Sequence, residues 1–371
     1  MIDEMSSKER FINALNGKET DRVPYGYLWF GAGNNVLRQM DATMDDVYRS
    51  ASGIAQAQIL ARKMYHHDNV MAPWGCLLVE AEALGTKIKL KSNGYPVIAE
   101  YALNSADEFA GVDPDIINSS ERIETIKEAI SILKKEIGDE VFIAGSMMSP
   151  LMLAHQLIKG DQMYYDLIQN PDSFHSLLDI LTHSCILFAD CLLESGADGV
   201  FVENGGSTAD LFSPEMANEF GTYYTKKLYS HVQKNHGYVI SHNCAVHAFY
   251  DQEMDLKPDA LNFAFGDVKS LKNKYGVECE KLHNHKNMGC KQRYCFNDLR
   301  NMMNKDICLM GNITPGVFFS DSDKDIKFEV DSCLNNADKN RFILSTGCEI
   351  PLNTPLEKMD ELWRVINSHW L

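Results

Sequence analysis

From about Ser119 onward the chain alternates between two hydrophobic rhythms. Short β-branched apolar runs, of the kind that form strands buried on both faces, are separated by stretches with apolar residues every three or four positions. Helix Glu121–Ile137 is predicted before strand Val141–Ala144, and helical stretches Leu153–Ile168 and Pro171–Glu194 before strand Gly199–Glu203. Helix Pro214–Lys234 leads into strand Tyr238–Ser241, and a short helix near Val246–Met254 leads into Ala260–Phe263. After an irregular segment come strand Ile307–Met310, helix Ser322–Asn335, strand Phe342–Ser345 and a last helix, Pro355–Ser368.

The first third of the chain is less regular. Ser6 or Ser7 with Glu9 forms a helix start, and Gly17 ends that helix. Tyr25–Phe30 reads as a first strand, Gly31–Asn35 as a loop, residues 45–65 as a helix and Asn69–Trp74 as a second strand. A short helix Val79–Gly85 is followed by an alternating stretch, Thr86–Glu100, that predicts a hairpin turning at Asn93-Gly94. With the strands at Tyr25 and Val70, eight strands separated by helices are predicted. That alternation implies a (β/α)8 TIM barrel over residues 1–371 as one domain, with an N-terminal helical and hairpin extension. The hairpin at 86–100 is an excursion, and residues 267–306 are a Cys/His-containing insertion. A doubly wound sheet is the competing fold, but the chain lacks the Gly-rich first turn which that fold uses to bind nucleotides. Gly31-Ala32-Gly33 has neither a third glycine nor a P-loop lysine.

Composition narrows the function. A 371-residue chain that is 45% hydrophobic and 23% charged has ample material for a large core. Its net charge of −17 argues against phosphate-backbone or anionic-membrane binding, which needs a positive face. The start Met1-Ile2-Asp3-Glu4 is not a basic leader, and no run of eighteen apolar residues occurs. Ten cysteines without the spacing of a secreted scaffold suit a reducing compartment, so a cytoplasmic location is expected.

In a barrel, residues just after each strand converge on one mouth. Trp74, Ser146, Glu203, His242, Cys244, Asn312 and Cys348 are so placed. His242 and Cys244, two apart at a strand end, can turn an imidazole and a thiolate to one side, and Cys348 can add a third ligand from another strand. Three ligands leave a fourth position open, as catalytic zinc requires. On residue types alone, buried thiols and a hydrogen-bonded histidine remain an alternative. Glu203 is the candidate carboxylate beside the metal, as fourth ligand or proton acceptor. Glu349 is a weaker candidate for a supporting role, and His247 is left out because it should lie on the next helix. Ser146 and Asn312 are candidate polar groups of the pocket, with Trp74 and Tyr27 as candidate walls. In the insertion, Cys279, His283, His285, Cys290 and Cys295 match no standard zinc module and offer no CxxC pair.

Several motifs in order resemble the uroporphyrinogen decarboxylase superfamily. They are Ser7-Lys8-Glu9-Arg10-Phe11-Ile12-Asn13-Ala14-Leu15, Asp21-Arg22-Val23-Pro24, Glu80-Ala81-Glu82-Ala83-Leu84-Gly85 and Gly145-Ser146-Met147-Met148-Ser149-Pro150-Leu151. Asn170-Pro171-Asp172, Leu309-Met310-Gly311-Asn312-Ile313, Ser345-Thr346-Gly347-Cys348-Glu349-Ile350-Pro351 and Thr354-Pro355-Leu356 continue the series. True decarboxylases of that superfamily carry an arginine-rich N-terminal motif for the substrate carboxylates, whereas Tyr25-Gly26-Tyr27-Leu28-Trp29-Phe30 has no arginine. His242, Cys244 and Cys348 instead resemble the zinc ligands of its cobamide-dependent methyltransferase branch, although Ala245 stands where glycine is frequent. The resemblance implies a zinc enzyme moving a methyl group between a corrinoid (cobalamin) on a partner protein and a thiol or a methoxy or methylamine compound. The chain lacks the Asp-x-His-x-x-Gly signature of domains that carry their own corrinoid. The runner-up is a metal-independent lyase of the decarboxylase type, and a non-catalytic binding or metal-storage barrel is a third possibility.

Overall fold

The computed structural model describes residues 4–74, 78–245, 247–264, 300, 305–320, 322–337 and 340–370. Strand β1 is Asn69–Ala72, and β2 (Lys87–Lys91) and β3 (Gly94–Glu100) form the antiparallel hairpin. The turn falls at Ser92-Asn93, one residue earlier than expected. The barrel continues with β4 (Phe142–Met148), β5 (Gly199–Glu203), β6 (Tyr238–Asn243), β7 (Ala260–Phe263), β8 (Cys308–Ile313) and β9 (Phe342–Thr346). These strands run parallel in the order β1-β4-β5-β6-β7-β8-β9, with helices between them. The architecture is the TIM-barrel type anticipated from the alternation, but its first stave differs.

Seven strands form the ladder, and the eighth stave, around Tyr25, makes only a bridge to Leu344. On the β9 side its backbone pairs normally, with Gly26 N–H donating to Leu344 C=O (2.7 Å) and Leu344 N–H to Pro24 C=O (2.9 Å). On the β1 side, side chains replace much of the ladder. Tyr25 N–H donates to Asp68 Oδ2 (2.7 Å), and the Asn69 carboxamide both accepts from Tyr27 N–H (2.7 Å) and donates to Tyr27 C=O (2.9 Å). Asp68 is held in turn by Arg10 Nη1 and Arg22 Nη1, both at 2.8 Å, and Arg10 also grips Asp21 at 2.6 Å. Arg10 and Asp68 are fully buried, so each charge depends on its partner. The opening motif residues Arg10, Asp21 and Arg22 therefore act in closing the barrel.

Local chemistry accounts for the other departures. The expected 45–65 helix is broken, because Ser50 caps a new helix, Ala51–Tyr65, through Gly53 N–H. The 153–168 helix splits into Pro150–Leu157 and Gln162–Gln169 around Gly160, which adopts a left-handed φ of 50°. Residues expected as a loop after Phe30 enter a helix, Gly33–Met40, that buries Val36 and Leu37. Helix Pro171–Glu194 is long and apolar enough to cross a membrane by composition. Here Phe174, Leu177, Leu181, Cys185 and Phe188 are buried, and the helix packs on β4 and β5. The 267–300 part of the expected insertion and its continuation to 304, Arg300 excepted, lie outside the described residues, and with them Cys279, His283, His285, Cys290 and Cys295.

Candidate functional site

Three side chains on two strand ends come together. His242 is the fifth residue of β6, Cys244 follows that strand, and Cys348 lies two residues past β9. One ligand atom from each lies within 4.8 Å of the other two. A tetrahedral zinc with bonds of about 2.0–2.3 Å sets its ligand atoms roughly 3.5–4 Å apart, so small side-chain adjustments close the group. His242 is completely buried, while both cysteines are half-buried, which leaves the group accessible from the sulfur side.

Register explains the convergence. Glu203, His242 and Asn262 are consecutive partners across β5, β6 and β7 and form one row of the parallel ladder. Cys348 reaches the row because Gly347 passes close against β7. A Cβ on Gly347 would stand 2.5 Å from Ala264 Cα and 2.8 Å from Phe263 C=O. Both are backbone atoms that cannot swing aside.

Charge follows position. Burial alone would favour neutral His242, but Glu203 and Cys244 beside it override burial and raise the imidazole to about 9. Burial pushes Glu203 up to about 7, against the lowering effect of His242. Of the paired thiols, Cys244 is drawn down to about 4, first by the hydrogen bond from Cys348. Cys348 is pushed up by that same bond and by burial. The bond between the two sulfurs thus favours the thiolate on Cys244 and the thiol on Cys348. His242 Nε2 is buried and makes no well-formed hydrogen bond, with Glu203 Oε2 in charge contact 3.4 Å away and the Cys244 thiolate interacting with the ring. A buried imidazole nitrogen without a well-formed hydrogen bond, on a residue grouped with two sulfurs, is what a metal would satisfy.

The other expected residues divide. Ser146 lies in the barrel interior, where its hydroxyl accepts from Trp29 Nε1–H at 2.8 Å. Trp29 packs edge-on to both His242 and Phe201, with ring centroids 5.0 and 5.2 Å away. Asn312 donates its amide to Ala264 C=O (3.0 Å) and accepts from the Cys333 thiol. Trp74 and Tyr27 are core residues, Trp74 stacked on Phe30 and Tyr27 on His67. The aromatic residue against His242 is Trp29, the penultimate residue of the predicted first strand, which sequence reading missed in favour of Tyr27 and Trp74. Glu349 accepts from Phe30 N–H (2.8 Å) and from the Tyr95 hydroxyl, which ties the hairpin to the segment bearing Cys348. His247 sits in the turn before helix Tyr250–Asp255, paired with Asp210 at 2.7 Å, outside the ligand group.

Sequence reading also missed two buried polar residues. Asn262 meets His242 Nδ1, and Glu253 accepts from Asn204, Asn243 and Ser241 at 2.8–2.9 Å. The available signal for Asn262 was one amide inside the apolar run Ala260–Phe263.

Residues 6–369 match the uroporphyrinogen decarboxylase (URO-D) family. The chain belongs to that family. Within it, the chain is 28% identical over 220 residues to the methylcobamide:CoM methyltransferase MtaA of Methanosarcina barkeri. The alignment covers 59% of this chain and 64% of MtaA, so it spans less than two thirds of that relative's length. Identity to the methylcobamide:CoM methyltransferase MtbA of Methanosarcina mazei is 25% over 249 residues, covering 66% of this chain and 71% of MtbA. A solved methyltransferase from Methanosarcina mazei shares the fold, with a TM-score of 0.83 and 22% identity over 99% of this chain and 100% of that one.

Proposed function

We propose that this URO-D family member is a zinc-dependent methyltransferase that moves a methyl group between a corrinoid on a separate protein and a small thiol or methylated compound. The carrying observation is the meeting of one imidazole and two thiol side chains within 4.8 Å, with the buried His242 Nε2 lacking a well-formed hydrogen bond. An imidazole with two thiolates is a donor set that zinc favours, and three protein ligands leave room for a substrate. Similarity to two methylcobamide:CoM methyltransferases supports methyl transfer with a thiol as acceptor.

Zinc held by His242, Cys244 and Cys348 would supply the Lewis acidity that lets a coordinated thiol lose its proton near neutral pH. Glu203, about 7 through burial, is matched to accept that proton at Oε2, on the His242 side of the group. Trp29 and Phe201 pack around His242, excluding water from its buried face. Half-buried Cys244 and Cys348 leave the opposite face open to substrate. A reducing, cytoplasmic setting would suit a site built on two thiolates.

A lyase that binds a polycarboxylate would need free cations in the cleft. Arg10 and Arg22 are instead committed to Asp21 and Asp68. The proposal is tested by metal analysis of the purified chain, followed by demethylation of methylcobalamin with a panel of thiols. One equivalent of zinc, lost in Cys348→Ser, with thiol-dependent demethylation is the expected result. Less than half an equivalent, unchanged in that variant, or an activity that survives chelation would sink it.

A further inference from the structure

We infer that Asn262 is a positioning residue that locks the His242 imidazole as the Nδ1–H tautomer and ties it to the strand end bearing Cys348. This rests on the zinc reading above and deepens it. The orientation of the Asn262 amide follows from its surroundings. Nδ2 is ringed by three acceptors, Ser345 Oγ at 3.0 Å, Thr346 C=O at 3.1 Å and Met310 C=O at 3.2 Å. Ser345 already donates its hydroxyl proton to Thr346 C=O at 2.9 Å, so toward Asn262 it only accepts. A flipped amide would set Oδ1 against two carbonyl oxygens and a hydroxyl whose proton is engaged elsewhere. The nitrogen end therefore faces β8 and β9, and Oδ1 faces His242 Nδ1 at 2.5 Å.

An amide oxygen can only accept, so His242 Nδ1 must carry a hydrogen. In a neutral imidazole the lone pair then resides on Nε2, the buried atom that makes no well-formed hydrogen bond. The same amide reaches across β8 to Thr346, two residues before Cys348. Asn262 is fully buried and its polar atoms are all engaged in this link. It thus sets both the direction of the imidazole lone pair and the placement of His242 relative to the β9 ligand.

Two measurements test this. Long-range proton–nitrogen NMR on metal-free, 15N-histidine-labelled protein at alkaline pH, where the ring is neutral, reads the tautomer; loss of a signal in His242→Gln assigns it. Wild type is expected to show Nδ1–H, and Asn262→Leu a mixture of tautomers. With zinc alone as probe, chelator competition should show Asn262→Leu binding ~10- to 100-fold more weakly. Its melting temperature without metal serves to separate this from a general loss of fold. An Nε2–H tautomer in wild type, or zinc binding in Asn262→Leu equal to wild type, would overturn the assignment. If Asn262→Leu does not fold, the wild-type spectrum decides. If wild type takes up no zinc, the metal reading falls, while the metal-free spectrum still upholds or overturns the role of Asn262.

Discussion

Glu203 Oε2 stands 3.4 Å from His242 Nε2, across a register pair of β5 and β6. A carboxylate at this distance from a proposed ligand nitrogen would serve either a bound metal or the proton, and its elevation to about 7 favours the proton. Glu203→Gln keeps the size and removes the base. Thiol-dependent demethylation should fall by about 10²- to 10⁴-fold, with one equivalent of zinc retained. Loss of zinc in that variant would make Glu203 a ligand instead.

Zinc uptake should expel protons. Below about pH 9 the His242 ring is protonated, and Cys348 keeps its proton to still higher pH, whereas Cys244 is already a thiolate. Roughly two protons must leave on binding near neutral pH, so apparent affinity should strengthen as pH rises toward 9. Calorimetry in buffers of different ionisation enthalpy counts those protons directly. A pH-independent affinity between 6 and 8 would contradict the charge assignment.

Gly347→Ala should impair metal binding without touching a ligand. The added Cβ would meet the backbone of Phe263 and Ala264 and push the segment carrying Cys348 away from β7. Zinc affinity is expected to drop by at least about tenfold, the scale seen when groups supporting a ligand are disturbed. Chelator competition measures it.

Glu80 carries a stability signature of its own. It is fully buried, with Oε1 accepting from Met148 N–H at 2.8 Å and Oε2 unpartnered, and burial raises it to about 7. Between pH 4.5 and 7 the unfolded chain has released this proton and the folded chain has kept it, so stability falls as pH rises. The stability of Glu80→Gln relative to wild type should therefore improve by about 3 kcal/mol across that window. Urea denaturation at several pH values tests the slope; parallel curves would refute it.

Arg10→Met should destabilise the fold by about 3–5 kcal/mol, because it strips a buried cation from Asp21 and Asp68. Thermal melts of metal-free protein report this, and zinc stoichiometry in the surviving folded fraction should be unchanged.

The hydrophobic rhythm was enough to place the barrel. Helices Glu121–Ile137 and Pro171–Glu194 have the limits read from sequence, as does strand Gly199–Glu203. The grouping of His242, Cys244 and Cys348 was likewise legible, because imidazole and thiol side chains at the ends of β-branched runs converge on one mouth of a barrel. Periodicity reports how one segment faces the core; it carries no information about which distant segment lies beside it. The Tyr25 stave therefore read as a strand, although Asp68 and Asn69 side chains take over part of its pairing. Trp74, Tyr27 and Asn312 looked like pocket residues by position and are held in the core or by β7, while Trp29 takes the place beside His242. The parallel register decided that Glu203, His242 and Asn262 share one row. Chain order and residue type were enough to nominate ligands. Which polar groups orient them depends on contacts between residues 20 to 106 positions apart, and only the closed sheet creates those contacts.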